Sequence, residues 1–285
     1  MAETLEQLLS RPDILIVPGA HDALSARLAV RAGARAVYMT GFGVVGACFA
    51  LPDLGLVGPE QMTERVRALA AAIGPVPLIA DGDNGHGGPL NVARLTRAYE
   101  QAGAACIQLE DQVLPKRCGH MAGKEVVPLA EAAAKVRAAV DARSNRSFKI
   151  IARTDARAPY GLDEALRRCE AFLAAGADIL FLEAPRDEAE LARVARTFQG
   201  TPLLANMVAD GKTTVQSPEV LQQMGYKIAL YSIDALLAAV KTLEAAYTRV
   251  LAGGVDDPSA RVGFNEYNNI IGLPEHLARA ERYKA

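Results

Sequence analysis

Arg31-Ala-Gly-Ala-Arg-Ala-Val-Tyr38 recurs along the chain. Gln101-Ala-Gly-Ala-Ala-Cys-Ile-Gln108 and Ala175-Gly-Ala-Asp-Ile-Leu-Phe-Leu182 repeat it, and Met224-Gly-Tyr-Lys-Ile-Ala-Leu-Tyr231 is a fainter fourth copy. In each copy a helical stretch stops at a glycine, where left-handed backbone costs little, and a short apolar run follows at once. That is the helix-to-strand joint of a βα repeat.

Working outward from these joints, the sequence predicts eight strands: 14–17, 36–40, 78–80, 105–109, 149–153, 179–182, 203–206 and 228–231. They are continuous apolar runs, as expected when both faces of a parallel sheet are covered. Ala- and Leu-rich helical stretches separate them, for example 92–102, 129–142 and 164–175. Eight alternations predict a closed (β/α)8 TIM barrel of the α/β class, with a doubly wound open sheet as the alternative. Gly253-Gly-Val-Asp-Asp-Pro258 detaches a tail, 264–285, that reads as helical from Pro274 onward. Residues 1–253 are thus expected to form the catalytic barrel and 254–285 a C-terminal helical extension.

Bulk properties narrow the function. The chain has 285 residues, 51% of them hydrophobic, enough for one barrel core. A net charge of −2 offers nothing to nucleic acid or an anionic membrane surface. No apolar run reaches the roughly 18 residues of a membrane span. The opening Met1-Ala-Glu-Thr-Leu-Glu-Gln7 is acidic and lacks the basic region of a signal peptide. Cys48, Cys106, Cys118 and Cys169 have no zinc-type spacing and fit a reducing cytoplasm.

In a barrel enzyme the reactive groups gather at the C-terminal ends of the strands. Here the second strand ends in Thr40-Gly41 and the third runs into Asp81-Gly-Asp83. The fourth runs into Glu110-Asp111, and the fifth ends at Arg153 before Thr154-Asp155. The sixth and seventh deliver Glu183 and Asn206. Solvated strand ends are often polar, but short carboxylates so close to the sheet are not required by solvation. Asp81 and Asp83 face the same way in extended chain. Alone, Asp-Gly-Asp reads as a turn; with Glu110 on the neighbouring strand it offers hard oxygen ligands that suit Mg²⁺, or Mn²⁺ in its place.

Lys116-Arg-Cys-Gly-His120 follows the fourth strand. Two cations and an imidazole beside a thiol make Cys118 a candidate reactive cysteine. The other three cysteines read as packing residues. Gly41-Phe-Gly-Val-Val-Gly46 matches a dinucleotide fingerprint only on paper, since that site needs a helix to start there. Pro52, Gly55, Gly58 and Pro59 predict a broken segment instead. Gly211-Lys-Thr213 lacks the earlier glycine of a P-loop, because Asn206 stands there. His21 and His86 have no second His or Cys at metal spacing and are expected to hydrogen-bond.

These residues together resemble the isocitrate lyase/phosphoenolpyruvate mutase superfamily from about Gly19 to about Gly253. Lys116-Arg-Cys-Gly-His120 resembles the signature of its lyase branch. Tyr38-Met-Thr-Gly41, Leu51-Pro-Asp-Leu-Gly55, Glu110-Asp-Gln112, Ile151-Ala-Arg-Thr-Asp155 and Asn206-Met-Val-Ala-Asp-Gly-Lys-Thr213 are similar too. The resemblance implies that Asp81, Asp83 and Glu110 hold Mg²⁺ directly or through water, with Asp53 as an outer carboxylate. It implies that Tyr38, Thr40, Gly41 and Arg153 grip a 2-oxo acid. Cys118 would be the acid/base of the Lys116–His120 loop, and Lys116, Gly119, His120, Glu183 and Asn206 would line the remaining pocket. It also implies tetramers, dimers of dimers that exchange their C-terminal helices.

The implied chemistry is carbon–carbon cleavage of a small 2-hydroxy di- or tricarboxylic acid, giving pyruvate or another 2-oxo acid and a carboxylic acid. The stretch from Asn206 resembles the 2,3-dimethylmalate lyase type. Where 2-methylisocitrate lyases carry an arginine after the eighth strand, this chain has Leu237, which favours an alkylmalate-type substrate. Asp81-Gly-Asp-Asn-Gly-His86-Gly-Gly and Asp234 depart from the pattern. The rivals on the same scaffold are an oxaloacetate decarboxylase or hydrolase and a carboxyvinyl-carboxyphosphonate phosphorylmutase. A barrel that binds a metabolite without turnover is the rival of another class.

Overall fold

The computed structural model describes residues 3–116, 123–209, 211, 213, 215–254 and 258–284. Cys118, Gly119 and His120 lie outside the described residues.

The elements alternate as the repeats predict. In chain order they are α1 (Leu5–Ser10), β1 (Leu15–Ala20), α2 (Ala23–Arg31), β2 (Val37–Met39), α3 (Gly41–Phe49) and α4 (Pro59–Ile73). Next come β3 (Leu78–Asp81), α5 (Pro89–Gln101), β4 (Cys106–Glu110), α6 (Leu129–Ala142) and β5 (Lys149–Thr154). Then follow α7 (Arg157–Tyr160), α8 (Leu162–Ala174), β6 (Ile179–Leu182), α9 (Glu188–Thr197), β7 (Leu203–Asn206), α10 (Pro218–Met224) and β8 (Ile228–Tyr231). The chain ends with α11 (Asp234–Leu251), α12 (Phe264–Ile270) and α13 (Leu273–Glu281). All eight predicted strands exist. They pair in parallel in sequence order, and β1 closes on β8. The open-sheet alternative is therefore excluded.

Side-chain parity along each strand sorts residues into two cores. Ile79, Cys106, Ile151, Phe181, Leu204 and Leu230 point inward and fill the lower barrel. Their neighbours Ala80, Ile107, Ile150 and Leu180 point outward and pack under the helices. Two residues further along, the same inward columns carry Asp81, Gln108, Arg153, Glu183, Asn206 and Ser232. The barrel interior is therefore apolar at the bottom and polar at the C-terminal mouth.

α1 plugs the other end with Leu5 and Leu8, each 2% exposed. A reciprocal Thr4–Gln7 capping box starts this helix, and full burial of each leucine contributes about 1.5–3 kcal/mol.

One expectation is corrected here. Residues 41–46 were expected to be broken, yet Gly41–Phe49 is a helix, with the Thr40 hydroxyl accepting from the Gly43 N–H as its N-cap. The breakers at positions 52–59 lie beyond its end. Its glycines permit close approach: a Cβ at Gly43 would lie 2.5 Å from the Thr40 methyl. The segment opens a helix, but in a closed barrel rather than in a dinucleotide fold.

The chain forms two compact units, Met1–Leu236 and Leu237–Ala285. The break falls inside α11, ahead of the Gly253-Gly254 pair at which the sequence placed the barrel's end. Within the second unit, α11 to α13 expose Val240, Leu243, Tyr247, Val250, Phe264 and Tyr267. α12 was not foreseen; it precedes the helix expected from Pro274. Among the described residues no helix is long and apolar enough to cross a membrane.

Closure of the barrel depends on one close approach. A Cβ on Gly19 would lie 2.0 Å from the carbonyl oxygen of Ser232, just after β8. Gly19→Ala is expected to destabilise the fold by about 2–3 kcal/mol or more, since backbone cannot give way as a side chain can. Denaturant unfolding of the variant checks this.

Candidate active site

β3 and β4 bring the acids together. Asp81 ends β3, and the chain turns so that Asp83 adopts φ 49°. A left-handed backbone is uncommon outside glycine, and Asp is among the residues that adopt it most readily. The Asp83 carbonyl accepts the Glu110 N–H at 2.9 Å, which locks the two strand ends side by side. Asp53 arrives from the loop after α3. Asp53, Asp81, Asp83 and Glu110 are all buried.

The Asp81 carboxylate accepts from the backbone of Asp83 and of Gly41 at 3.1 and 3.2 Å and from Gln108 Nε2 at 3.2 Å. A Cβ at Gly41 would sit 2.8 Å from Asp81 Oδ2, so only glycine lets the start of α3 come this close. Gln108 in turn accepts the Tyr38 hydroxyl at 2.6 Å. Burial, reinforced by Asp83, pushes the Asp81 carboxyl up to about 6. Burial also raises Asp53, against the pull of Lys116, and raises Glu110 well above the usual range, against the pull of Arg153.

Lys116 answers these charges. Its Nζ lies 2.7 Å from Asp53 Oδ1 and 2.5 Å from Asp83 Oδ1. Neither oxygen has a hydrogen bond of good geometry, and each is held by charge. Glu110 Oε1 is buried with no hydrogen-bond donor among the described residues. Burial would lower the lysine's pKa, but Asp83, Glu110, Asp53 and Asp81 together hold it well above the usual range.

Among the described residues no three His, Cys, Asp or Glu side chains stand grouped around one point as the ligands of a metal ion would. The donor set nonetheless suits one. It consists of hard oxygens, one of them orphaned and two drawn to a single cationic atom.

On the other side of the mouth Arg153 projects from β5. Its Nε and Nη2 donate to Asp155 at 2.9 and 3.0 Å, and its guanidinium lies 5.1 Å above the Phe181 ring centroid. Glu110 and Glu183 approach it to 3.5 and 3.8 Å. Asn206 accepts the Ser232 hydroxyl at 2.9 Å. Of the expected site residues, Tyr38, Gly41, Asp53, Asp81, Asp83, Glu110, Lys116, Arg153 and Glu183 are linked by these contacts. The Thr40 hydroxyl caps α3, and Asn206 is tied to Ser232.

His86 has its Nε2 buried without a hydrogen-bond partner, 3.8 Å from Asp83 Oδ2. Burial lowers its pKa. His21 likewise has a buried Nδ1 without a partner among the described residues. Asp234 is exposed in the first turn of α11, and Leu237 opens the second unit, 48% exposed. Cys106 and Cys169 are buried, whereas Cys48 is exposed rather than packed.

Gln108 and Ser232 were not singled out from the sequence. Parity could have found them: Gln108 precedes Glu110 by two on the same strand, and Ser232 continues the inward column of β8.

A family model described as phosphoenolpyruvate phosphomutase matches residues 5–251. The chain belongs to the phosphoenolpyruvate mutase/isocitrate lyase superfamily. Within this superfamily it is 44% identical to the 2,3-dimethylmalate lyase of Eubacterium barkeri over 276 residues, covering 95% of this chain and 94% of that one. It is 43% identical to a 2-methylisocitrate lyase of Bacillus subtilis over 244 residues, covering 86% of this chain and 79% of the relative. A solved oxaloacetate acetylhydrolase in complex with 3,3-difluorooxalacetate superposes with TM-score 0.93 at 34% identity, covering 100% of this chain and 98% of that one. A phosphonopyruvate hydrolase solved with oxalate and Mg²⁺ superposes with TM-score 0.87 at 30% identity, covering 98% and 97%.

The acid cluster has a measurable cost. An acid whose pKa is higher in the fold than in the unfolded chain weakens the fold as it ionises, here from about pH 4 to about pH 6, with the full loss above that. Asp81→Asn is therefore expected to stabilise the metal-free protein at pH 7 by on the order of 1–3 kcal/mol and to change little near pH 4. Denaturant melts at the two pH values check the sign.

Proposed function

We propose that this chain is a Mg²⁺-dependent carbon–carbon lyase of the superfamily, cleaving a small 2-hydroxy di- or tricarboxylic acid of alkylmalate type. The observation that carries this reading is the burial of Asp53, Asp81, Asp83 and Glu110 together at the barrel mouth, with Lys116 between Asp53 and Asp83 and Arg153 beside Glu110. The likeness to 2,3-dimethylmalate lyase over nearly the whole chain supports it.

Asp81, Asp83 and Glu110 would hold Mg²⁺, or Mn²⁺, with Asp53 further out. When bound, the ion would polarise the substrate's carboxylate and 2-oxygen. Arg153, fixed by Asp155 and stacked on Phe181, offers a guanidinium to the 2-oxo acid carboxylate. Tyr38, Thr40 and Gly41 would face it from the acid side, where Tyr38 and Gly41 are tied to Gln108 and Asp81. Loss of the hydroxyl proton lets the C–C bond break into a 2-oxo acid such as pyruvate and a carboxylate carrying the electron pair. Positive groups aimed at that developing charge lower the barrier. The Cys118 thiol then returns a proton to the carbanion carbon, while Lys116, Gly119, His120, Glu183 and Asn206 complete the pocket.

The likeness in fold to oxaloacetate acetylhydrolase supports a second reading, cleavage of oxaloacetate on the same site. The exposed apolar residues of α11 to α13 support self-association through these helices, as in a dimer of dimers that exchanges them between subunits. The buried thiols of Cys106 and Cys169 suit a reducing cytoplasm.

Incubated with Mg²⁺ and a panel of alkylmalates, the purified protein is expected to release a 2-oxo acid, and a chelator is expected to stop it. Cys118→Ser is expected to cut this turnover by about 10²–10⁴-fold. No 2-oxo acid from any member of the panel would refute the lyase reading. Oxaloacetate turnover that survives Cys118→Ser would favour the second.

A further inference from the structure

Lys124 is a buried cation that no step above uses. Its side chain is fully buried, and its Nζ lies 2.5 Å from Asp155 Oδ1. The same carboxylate takes both hydrogen bonds of Arg153. Asp155 thus faces two cations, Arg153 and Lys124. Burial would raise its pKa, but Arg153 and then Lys124 hold it well below the usual carboxylate range.

Lys124 is not the sole anchor of its segment. The segment that carries it is already fastened by backbone hydrogen bonds, from Val113 N–H to the Glu125 carbonyl and from Val127 N–H to the Asp111 carbonyl. Nor is it needed for the second buried acid nearby. Asp111 accepts from Thr154 Oγ1 at 2.7 Å, Asp155 N at 2.9 Å and Arg168 Nη1 at 3.0 Å. Asp111 has its own cation in Arg168, which it shares with Glu164.

Charge explains what anchoring does not. A bidentate Arg–Asp pair is neutral as a unit and presents only a dipole to an incoming carboxylate. Glu110 and Glu183 draw further on the same guanidinium. Burying a lone ammonium is unfavourable unless it offsets a charge. With Lys124 sharing Asp155, the Arg153–Asp155–Lys124 group is one charge more positive than the Arg153–Asp155 pair alone, against the pull of Glu110 and Glu183. Asp155 then fixes the guanidinium plane while cancelling less of its charge.

We propose that Lys124 is a positioning residue that balances Asp155, so that Asp155 cancels less of the Arg153 charge that meets the carboxylate of a bound 2-oxo acid. This inference rests on the reading of Arg153 as the carboxylate grip.

Charge and structure are separated by Lys124→Gln, whose amide can still donate to Asp155, by Lys124→Arg, and by the double variant Lys124→Gln with Asp155→Asn. Calorimetric titration with oxalate in the presence of Mg²⁺ reads the grip, with thermal unfolding in parallel. Lys124→Gln is expected to weaken oxalate binding at least about tenfold, as loss of one member of a buried charge pair does. Lys124→Arg should stay near native. In the double variant the group is again as positive as in the native protein, so binding should recover most of the loss although two native contacts are gone. A purely structural role predicts instead that the double variant binds no better than the single.

Native-like oxalate affinity in Lys124→Gln would overturn the inference, as would a folded double variant without recovery. If the double variant does not fold, the pair of single variants decides: equal losses in Gln and Arg overturn the charge role. Absence of Mg²⁺-dependent oxalate binding by the native protein would overturn the reading of the site and this inference together. Native binding unaltered by Lys124→Gln would overturn the inference alone.

Discussion

Four carboxylates buried within one barrel mouth repel each other and resist losing water, and no fold keeps them ionised without nearby positive charge. In this chain the opposing charge comes from Lys116 on one side and from Arg153 on the other. The strand ends, the left-handed Asp83 and the close approach of Gly41 to Asp81 all serve to hold that balance in place. The raised Asp81 and Glu110 carboxyls show that the protein's own cations offset the acids only in part. A cluster so built is destabilising by itself, which is consistent with the divalent ion proposed for it.

The rest of the barrel supports this arrangement through parity. Each strand sends alternate residues inward, so one column of positions begins as core and ends as site. Ile151 and Arg153 share a column, as do Ile79 and Asp81, Phe181 and Glu183, and Leu204 and Asn206. The apolar layer beneath the mouth is tightly filled, with Phe181 itself forming the floor under Arg153. Site and core are therefore not separable: a substitution in the upper core layer moves a charged group.

Behind the mouth lies a second layer of ions, Asp111 with Arg168 and Asp155 with Lys124. Asp111 holds Thr154 and the Asp155 backbone at the end of β5. It stood in the sequence beside Glu110 as another strand-end carboxylate, yet its oxygens are spent on this layer rather than on the mouth. Adjacent residues on one strand face opposite ways, which is why two neighbouring acids have such different surroundings.

Local pattern alone determined the number of strands, their order and the C-terminal rim as the place of the acids. Glycine-terminated helices followed by apolar runs mark four of the helix-to-strand joints within a few residues of chain, and eight alternations of apolar run and helix have one closed arrangement. Tertiary structure decided what those acids face. Lys116 meets Asp53 and Asp83, Lys124 meets Asp155, and Ser232 meets both Asn206 and the backbone of Gly19. The helix at Gly41–Phe49 also escaped the sequence, because the breakers that argued against it act only past its last turn. Contacts between residues tens to hundreds of positions apart leave no periodic trace, so only the folded barrel brings those charges within reach of one another.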